Sequence, residues 1–188
     1  MSETFDVLVV CLGNLCRSPL AERLLRLRLA DAPGVRVTSA GVRAVAGAPM
    51  DASAALELNR LGGDPSGFVA RQLTADLVKD ADLVLTATRQ FRSQVVELAP
   101  AALRRTFTLR ELAALLEERP WPGEPAGMRA LVAAAADWRG SVADRGDALD
   151  VPDPIGGPAS LHREAADLAH AATEVVAGEV ARGLHLSS

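Results

Sequence analysis

The eight residues Cys11-Leu12-Gly13-Asn14-Leu15-Cys16-Arg17-Ser18 bring thiols, a guanidinium and a hydroxyl together in one glycine-containing turn. A valine-rich run, Phe5-Asp6-Val7-Leu8-Val9-Val10, precedes them and suits a strand covered on both faces of a parallel sheet. After them, Ser18 reads as a helix N-cap, Pro19 as the first helical residue and Glu22 as an acid of the first turn, ahead of Leu24, Leu25, Leu27 and Leu29. A strand that enters a helix across a tight loop aims several unpaired backbone N–H groups, and the positive end of the helix dipole, at one point. That point binds anions. Gly13 and Asn14 are the residues expected to let the loop curl, because each enters backbone regions closed to most others. Arg17 offers a planar fork that matches two phosphate oxygens. Cys11, beside that cation and a helix N-terminus, is expected to ionise more readily than a free thiol, and a thiolate facing a bound phosphoryl group is a nucleophile.

The whole run from Val10 to Glu22 resembles the phosphate-binding loop of the low-molecular-weight protein tyrosine phosphatases of the bacterial type, whose pattern is Cys, five residues, Arg and Ser near the start of the chain. A nucleotide-type phosphate loop is excluded because no Gly-Lys-Ser/Thr follows. The resemblance implies an α/β fold in three layers, a four-stranded parallel sheet flanked by helices. It also implies roles. Cys11 would attack phosphorus and become a phosphocysteine. Arg17 and the loop amides would stabilise the transferring group, with Leu12, Gly13, Asn14, Leu15 and Cys16 forming the cradle. The Ser18 hydroxyl would bond the thiolate and help it leave. Ser39, in Ser39-Ala40-Gly41, would hold Asn14 in its unusual conformation, and Asp153, in Asp153-Pro154, would protonate the leaving phenol and then activate water. Asp150 is the competing acid; the Asp-Pro match favours Asp153. No metal or other cofactor is expected, since thiolate, arginine and amides already supply the nucleophile and the charge stabilisation.

The elements that must position these groups follow in order. Gly34 to Gly41 reads as a second strand and Ala52 to Leu61 as a helix stopped by Gly62-Gly63. Asp82 to Thr88 reads as a third strand, Arg89 to Leu98 as a helix, and Arg105 to Leu109 as a fourth strand. Strands alternating with helices imply a parallel sheet whose ligands bind beyond the carboxyl ends of its strands, where Cys11 falls. Residues 110–147 read as a helical insertion within a single domain over 1–188, broken at Trp121-Pro122-Gly123-Glu124-Pro125. A long last helix runs from Ala159 to about Arg182.

The 188 residues, 49% hydrophobic, suffice for a proper core. No apolar run approaches the ~20 residues of a membrane span, so no membrane association is expected. Met1-Ser2-Glu3-Thr4 leads straight into the first strand without a basic, hydrophobic leader, so a cytoplasmic location is expected. A net charge of -4 argues against general nucleic-acid binding. The two cysteines share one loop, so neither a structural disulfide nor a zinc site is expected. His162, His170 and His185 form no ligand motif and are expected to be solvated or half-buried.

Under the resemblance the substrates are phosphotyrosine-containing proteins, with a bacterial tyrosine kinase among the expected partners. Leu15 favours phosphotyrosine, because related phosphoarginine phosphatases carry threonine there. A thioredoxin-coupled arsenate reductase would need a downstream cysteine pair that the chain lacks, which leaves only a reductase drawing on a small thiol. A non-catalytic phosphate-binding module would need the loop but not the acid. Ile155 departs from the pattern, since many relatives place an aromatic residue there, and Ala44 stands where some eukaryotic relatives have tryptophan. Relatives with a cysteine at the position of Cys16 are protected from over-oxidation, which makes Cys11 a redox-sensitive cysteine here.

Overall fold

The computed structural model describes residues 4–32, 34–119 and 127–185. Four parallel strands, β1 (Phe5–Cys11), β2 (Val35–Gly41), β3 (Leu83–Thr86) and β4 (Thr106–Thr108), lie in the order β2-β1-β3-β4. The alternation of side chains along each strand sends them to opposite faces. Phe5, Val7, Val9, Leu83, Leu85 and Phe107 enter one buried cluster, whereas Leu8, Val10 and Val84 enter another. Such strands are apolar on both sides because both sides are covered.

Helices α1 (Arg17–Arg28), α2 (Ala52–Arg60), α5 (Leu109–Glu118), α6 (Met128–Trp138) and α7 (Ala159–His185) supply the first cluster. Helices α3 (Ala75–Asp80) and α4 (Arg89–Leu98) cover the other face. The three-layer architecture implied by the resemblance is therefore the one observed. Pairing aligns Val10 with both Ala40 and Thr86, and Thr86 with Thr108. The carboxyl ends of all four strands thus share one edge, and Cys11 sits on it opposite Gly41.

Several expectations need correction. β3 and β4 are shorter than expected because Thr88 and Thr108 turn to cap helices, their hydroxyls accepting from Phe91 N and Glu111 N. α1 begins at Arg17 with no side-chain cap, and Glu22 lies beyond its first turn. Ser18 does not cap the helix because its hydroxyl is engaged elsewhere, as described below. His162 is buried rather than solvated, its Nδ1 lying 3.9 Å from Asp51 Oδ1. The expected break at 121–125 lies outside the described residues. Beyond α6, 3-10 turns over Arg139–Leu149, interrupted by a kink at Gly146, lead to the segment carrying Asp150 and Asp153. No helix among the described residues is long and apolar enough to cross a membrane.

Candidate active site

Each peptide unit is planar and trans, so a carbonyl and the following N–H point in opposite directions. The loop's carbonyls are held from outside. Val42 N donates to Cys11 O at 3.0 Å, Arg43 N to Leu12 O at 2.9 Å, Val45 N to Gly13 O at 3.1 Å and Asp51 N to Leu15 O at 3.0 Å. Leu20 N takes Cys16 O at 3.1 Å as the first bond of α1. The N–H groups of Leu12, Gly13, Asn14, Cys16 and Arg17 are therefore left facing the interior of the ring, at the positive end of a helix. This is an anion cradle preorganised by its surroundings.

Asn14, with φ 56°, is the residue in the left-handed region; Gly13 is not, contrary to expectation. The glycine that the fold needs is Gly41, where a Cβ would lie 2.6 Å from Leu12 O and 2.8 Å from Asn14 N. The end of β2 and the loop backbone approach too closely for a side chain.

The left-handed conformation of Asn14 is held by three side-chain hydrogen bonds. Its Nδ2 donates to Ser18 Oγ at 2.9 Å and Ser39 Oγ at 2.8 Å, and its Oδ1 accepts from Arg71 N at 2.9 Å. Ser39 is fixed in turn: its Oγ donates to Glu22 Oε2 at 2.6 Å, which leaves its lone pairs for Asn14. Because Ser18 Oγ already receives a proton from Asn14, its own proton is free for Cys11 Sγ, 2.9 Å away. From Asn14 the donors run two ways, through Ser18 to the sulfur of Cys11 and through Ser39 to the buried Glu22 carboxylate.

Cys11 is 2% exposed and closes one side of the ring. Arg17 closes the other. Its Nη2 pairs with Asp153 Oδ2 at 2.7 Å, its Nη1 donates to Val151 O at 3.3 Å, and the ring of Phe91 lies 5.4 Å from the guanidinium carbon. Its Nε is buried without a protein acceptor. Cys11, Leu12, Gly13, Leu15, Cys16, Arg17, Arg43, Val45, Asp153 and Ile155 together line an open cleft of about 260 Å³.

The two candidate acids are separated by geometry. Asp153 lines the cleft and is partly exposed, whereas Asp150 spends its Oδ1 on Arg89 N at 2.8 Å, the first amide of α4. Burial raises the Asp150 carboxyl above its ordinary pKa, against the opposing pull of that hydrogen bond. Cys16 is buried, and its thiol is pushed up to about 12, by burial first and then by Asp51. Both cysteines are free thiols.

Sequence reasoning placed Cys11, Asn14, Arg17, Ser18, Ser39 and Asp153 in one region, and the structure brings all of them together. It missed Gly41 as the contact glycine, Glu22 and Arg71 as supports of the Asn14 network, and Arg43 and Val45 on the cleft wall. Only Glu22 had left a signal, as the acid that ends the Val10 to Glu22 run.

Residues 6–120 match the family model described as low molecular weight phosphotyrosine protein phosphatase. The low molecular weight protein-tyrosine-phosphatase Etp of Escherichia coli (strain K12) is 44% identical over 102 residues, 54% of this chain and 67% of the relative. A protein-arginine-phosphatase of Geobacillus stearothermophilus is 30% identical over 163 residues, 87% of each chain. The crystal structure of the Erwinia amylovora tyrosine phosphatase amsI superposes with a TM-score of 0.67 at 25% identity, covering 92% of this chain and 90% of that one. With its phosphate-type loop on the carboxyl edge of a β2-β1-β3-β4 sheet, the chain belongs to the low molecular weight phosphotyrosine protein phosphatase family.

Proposed function

We propose that the chain hydrolyses phosphotyrosine in proteins through a phosphocysteine on Cys11. The observation that carries this reading is the pairing of Cys11 Sγ with Ser18 Oγ at 2.9 Å inside the amide ring, opposite an Arg17 already in contact with Asp153 at 2.7 Å. A phosphate monoester seated in the ring supplies the acceptor that Arg17 Nε lacks, and competes with Asp153 for the guanidinium. Asp153 is thereby released toward the leaving oxygen.

Sγ forms the S–P bond as the P–O(aryl) bond breaks, and the Asp153 carboxyl gives its proton to the departing phenolate. In the second half, Asp153 takes a proton from water, whose oxygen attacks phosphorus. The S–P bond breaks and Ser18 stabilises the sulfur that leaves. Arg17 and the amides carry the charge of the equatorial oxygens in both halves. The donor set needs no metal.

The cleft wall favours an aryl ester over phosphoarginine. Leu12, Val45 and Ile155 are exposed aliphatics at its mouth, and Arg43 beside them repels a substrate that brings its own guanidinium. Phosphotyrosine proteins, a bacterial tyrosine kinase among them, are the proposed partners. The test is a panel of phosphopeptides differing only in phosphotyrosine, phosphoserine or phosphoarginine, with p-nitrophenyl phosphate alongside. Release of phosphate from the phosphotyrosine peptide above the other two is expected, and a preference for phosphoarginine would overturn the substrate assignment.

A further inference from the structure

Nineteen arginines occur in the chain, and among the described residues Arg43 is the one whose side chain has no hydrogen bond, ion pair or ring contact. This exception stands on the wall of the phosphate cleft. Its backbone is not free. Val42, Arg43 and Val45 are tied to Cys11, Leu12 and Gly13 by bonds of 3.0, 2.9 and 3.1 Å, and Ala44 N donates to Gln72 Oε1 at 3.0 Å. The backbone that carries the cation is therefore tied to the phosphate loop, and the guanidinium reaches over the cleft from that anchor. Among the described residues, the carboxylate that lines the cleft is Asp153, and it is already paired with Arg17.

We propose that Arg43 selects phosphotyrosine substrates with an aspartate or glutamate within one or two residues of the phosphotyrosine. This rests on the phosphotyrosine reading above and adds the sequence that the site prefers around it. The aliphatic wall of Leu12, Val45 and Ile155 takes the ring, and the phosphate anchors in the loop. A flanking carboxylate then meets a guanidinium that has no competing partner, while a flanking lysine meets a like charge. The pair forms in the ground state and persists in the transition state, so its effect falls on KM more than on kcat. At an exposed rim it is worth up to about fivefold, the equivalent of ~1 kcal/mol.

The experiment compares three phosphotyrosine peptides that carry aspartate, alanine or lysine on both sides of the phosphotyrosine, with p-nitrophenyl phosphate as the substrate that has no flanking residue. For the parent protein at low ionic strength, kcat/KM is expected to fall in the order aspartate, alanine, lysine, with the aspartate-to-alanine ratio about five. Near 1 M salt, where the Debye length is about 3 Å, the ratio shrinks toward one. Arg43→Gln flattens the series and Arg43→Glu reverses it. Three peptides cleaved equally well by the parent, or an aspartate preference kept in Arg43→Gln, would overturn the inference alone. Cleavage of p-nitrophenyl phosphate but of none of the peptides would overturn the phosphotyrosine reading, and the inference with it.

Discussion

Gly41→Ala isolates how much of the site depends on the fit between β2 and the phosphate loop. Its Cβ would lie 2.6 Å from Leu12 O, 2.8 Å from Asn14 N and 3.0 Å from Gly13 C, all backbone atoms. Ordinary contact begins near 3.4 Å, so the two backbones must separate by about 0.8 Å. The loop cannot absorb this by rotating a side chain; it has to carry its amides away from their aim. A misplacement of this size costs roughly 10- to 100-fold in rate. Overpacking of this kind costs ~1–3 kcal/mol, which lowers Tm by roughly 2 to 12 °C in a chain of this length. The assay is kcat/KM for p-nitrophenyl phosphate, inhibition by inorganic phosphate, and a thermal melt. Phosphate inhibition should weaken along with turnover, because both use the same amides. Gly13→Ala is the comparison: a Cβ there meets nothing nearer than Leu15 Cγ at 3.7 Å, and Gly13 is not at positive φ, so its Tm should fall less. Gly41→Ala with kcat/KM within about twofold of the parent and an unshifted melt would refute the claim that contact with β2 shapes the loop.

Cys11→Ser should abolish hydrolysis yet keep phosphate binding, measured by calorimetry, since the cradle amides and Arg17 remain; residual turnover equal to the parent would remove Cys11 as nucleophile. Asp153→Ala should slow aryl phosphates by about 10² to 10⁴-fold where the leaving group is most basic, and little where it is most acidic. An equal loss from Asp150→Ala, with Asp153→Ala silent, would reverse the assignment. Asp150→Asn keeps an acceptor for Arg89 N but removes the charge. Because the folded pKa of Asp150 is raised, the folded state holds its proton longer than the unfolded state, and stability falls as pH rises from the ordinary carboxylate value through the folded one. The melting temperature of Asp150→Asn relative to the parent should therefore rise between acid and neutral pH, and a difference independent of pH would count against this. Peroxide should inactivate the protein and dithiothreitol restore it, through condensation of Cys16 with an oxidised Cys11. Recovery as complete in Cys16→Ser, with no Cys11–Cys16 disulfide by mass spectrometry, would exclude that route.

What was legible in the sequence was local. The loop from Cys11 to Ser18 is contiguous, so its composition and its neighbours in the chain predict a strand-to-helix anion site before any packing is known. The sheet could be read for the same reason: each strand is an apolar run and each helix a 3.6-residue repeat. What escaped depends on contacts between distant residues. Ser18 obeys the rule for a helix N-cap, yet its hydroxyl is drawn into a tertiary network with Asn14 and Cys11, and the helix starts at Arg17, two residues before the expected Pro19, without a side-chain cap. Gly13 sits where a loop glycine is expected, while the glycine that sterics demand is Gly41, 28 residues on in the chain. Glu22 looks like a first-turn acid but is buried to hold Ser39. At Ser18 and Glu22 a satisfied buried hydrogen bond outweighs a local preference worth ~1 kcal/mol, and at Gly41 the close approach of two backbones decides.

The proposed acid and nucleophile, Asp153 and Cys11, are positioned by the same edge of the sheet. Beyond β3, Ala87 O accepts from Val151 N at 2.9 Å; at the end of β4, Thr108 Oγ1 donates to Leu149 O at 3.2 Å. Arg110, in the first turn of α5, donates to Asp150 O at 3.0 Å, and Arg89 N at the start of α4 holds the Asp150 carboxylate. The segment that carries Asp153 therefore hangs from the carboxyl ends of two strands that are in register with β1 and with Cys11. Its placement does not wait for substrate. In the proposed reaction what substrate must change is smaller: the Arg17–Asp153 contact at 2.7 Å, 38% exposed on the aspartate side, gives way to Arg17–phosphate. Its solvent-facing carboxylate leaves this pair screened on one side, while a bidentate guanidinium–phosphate contact inside a ring of amides is stronger, so in that reaction the exchange runs toward the loaded site. Asp150, although a carboxylate in the same segment, takes no part in that exchange because its oxygen is already committed to the helix that anchors the arm.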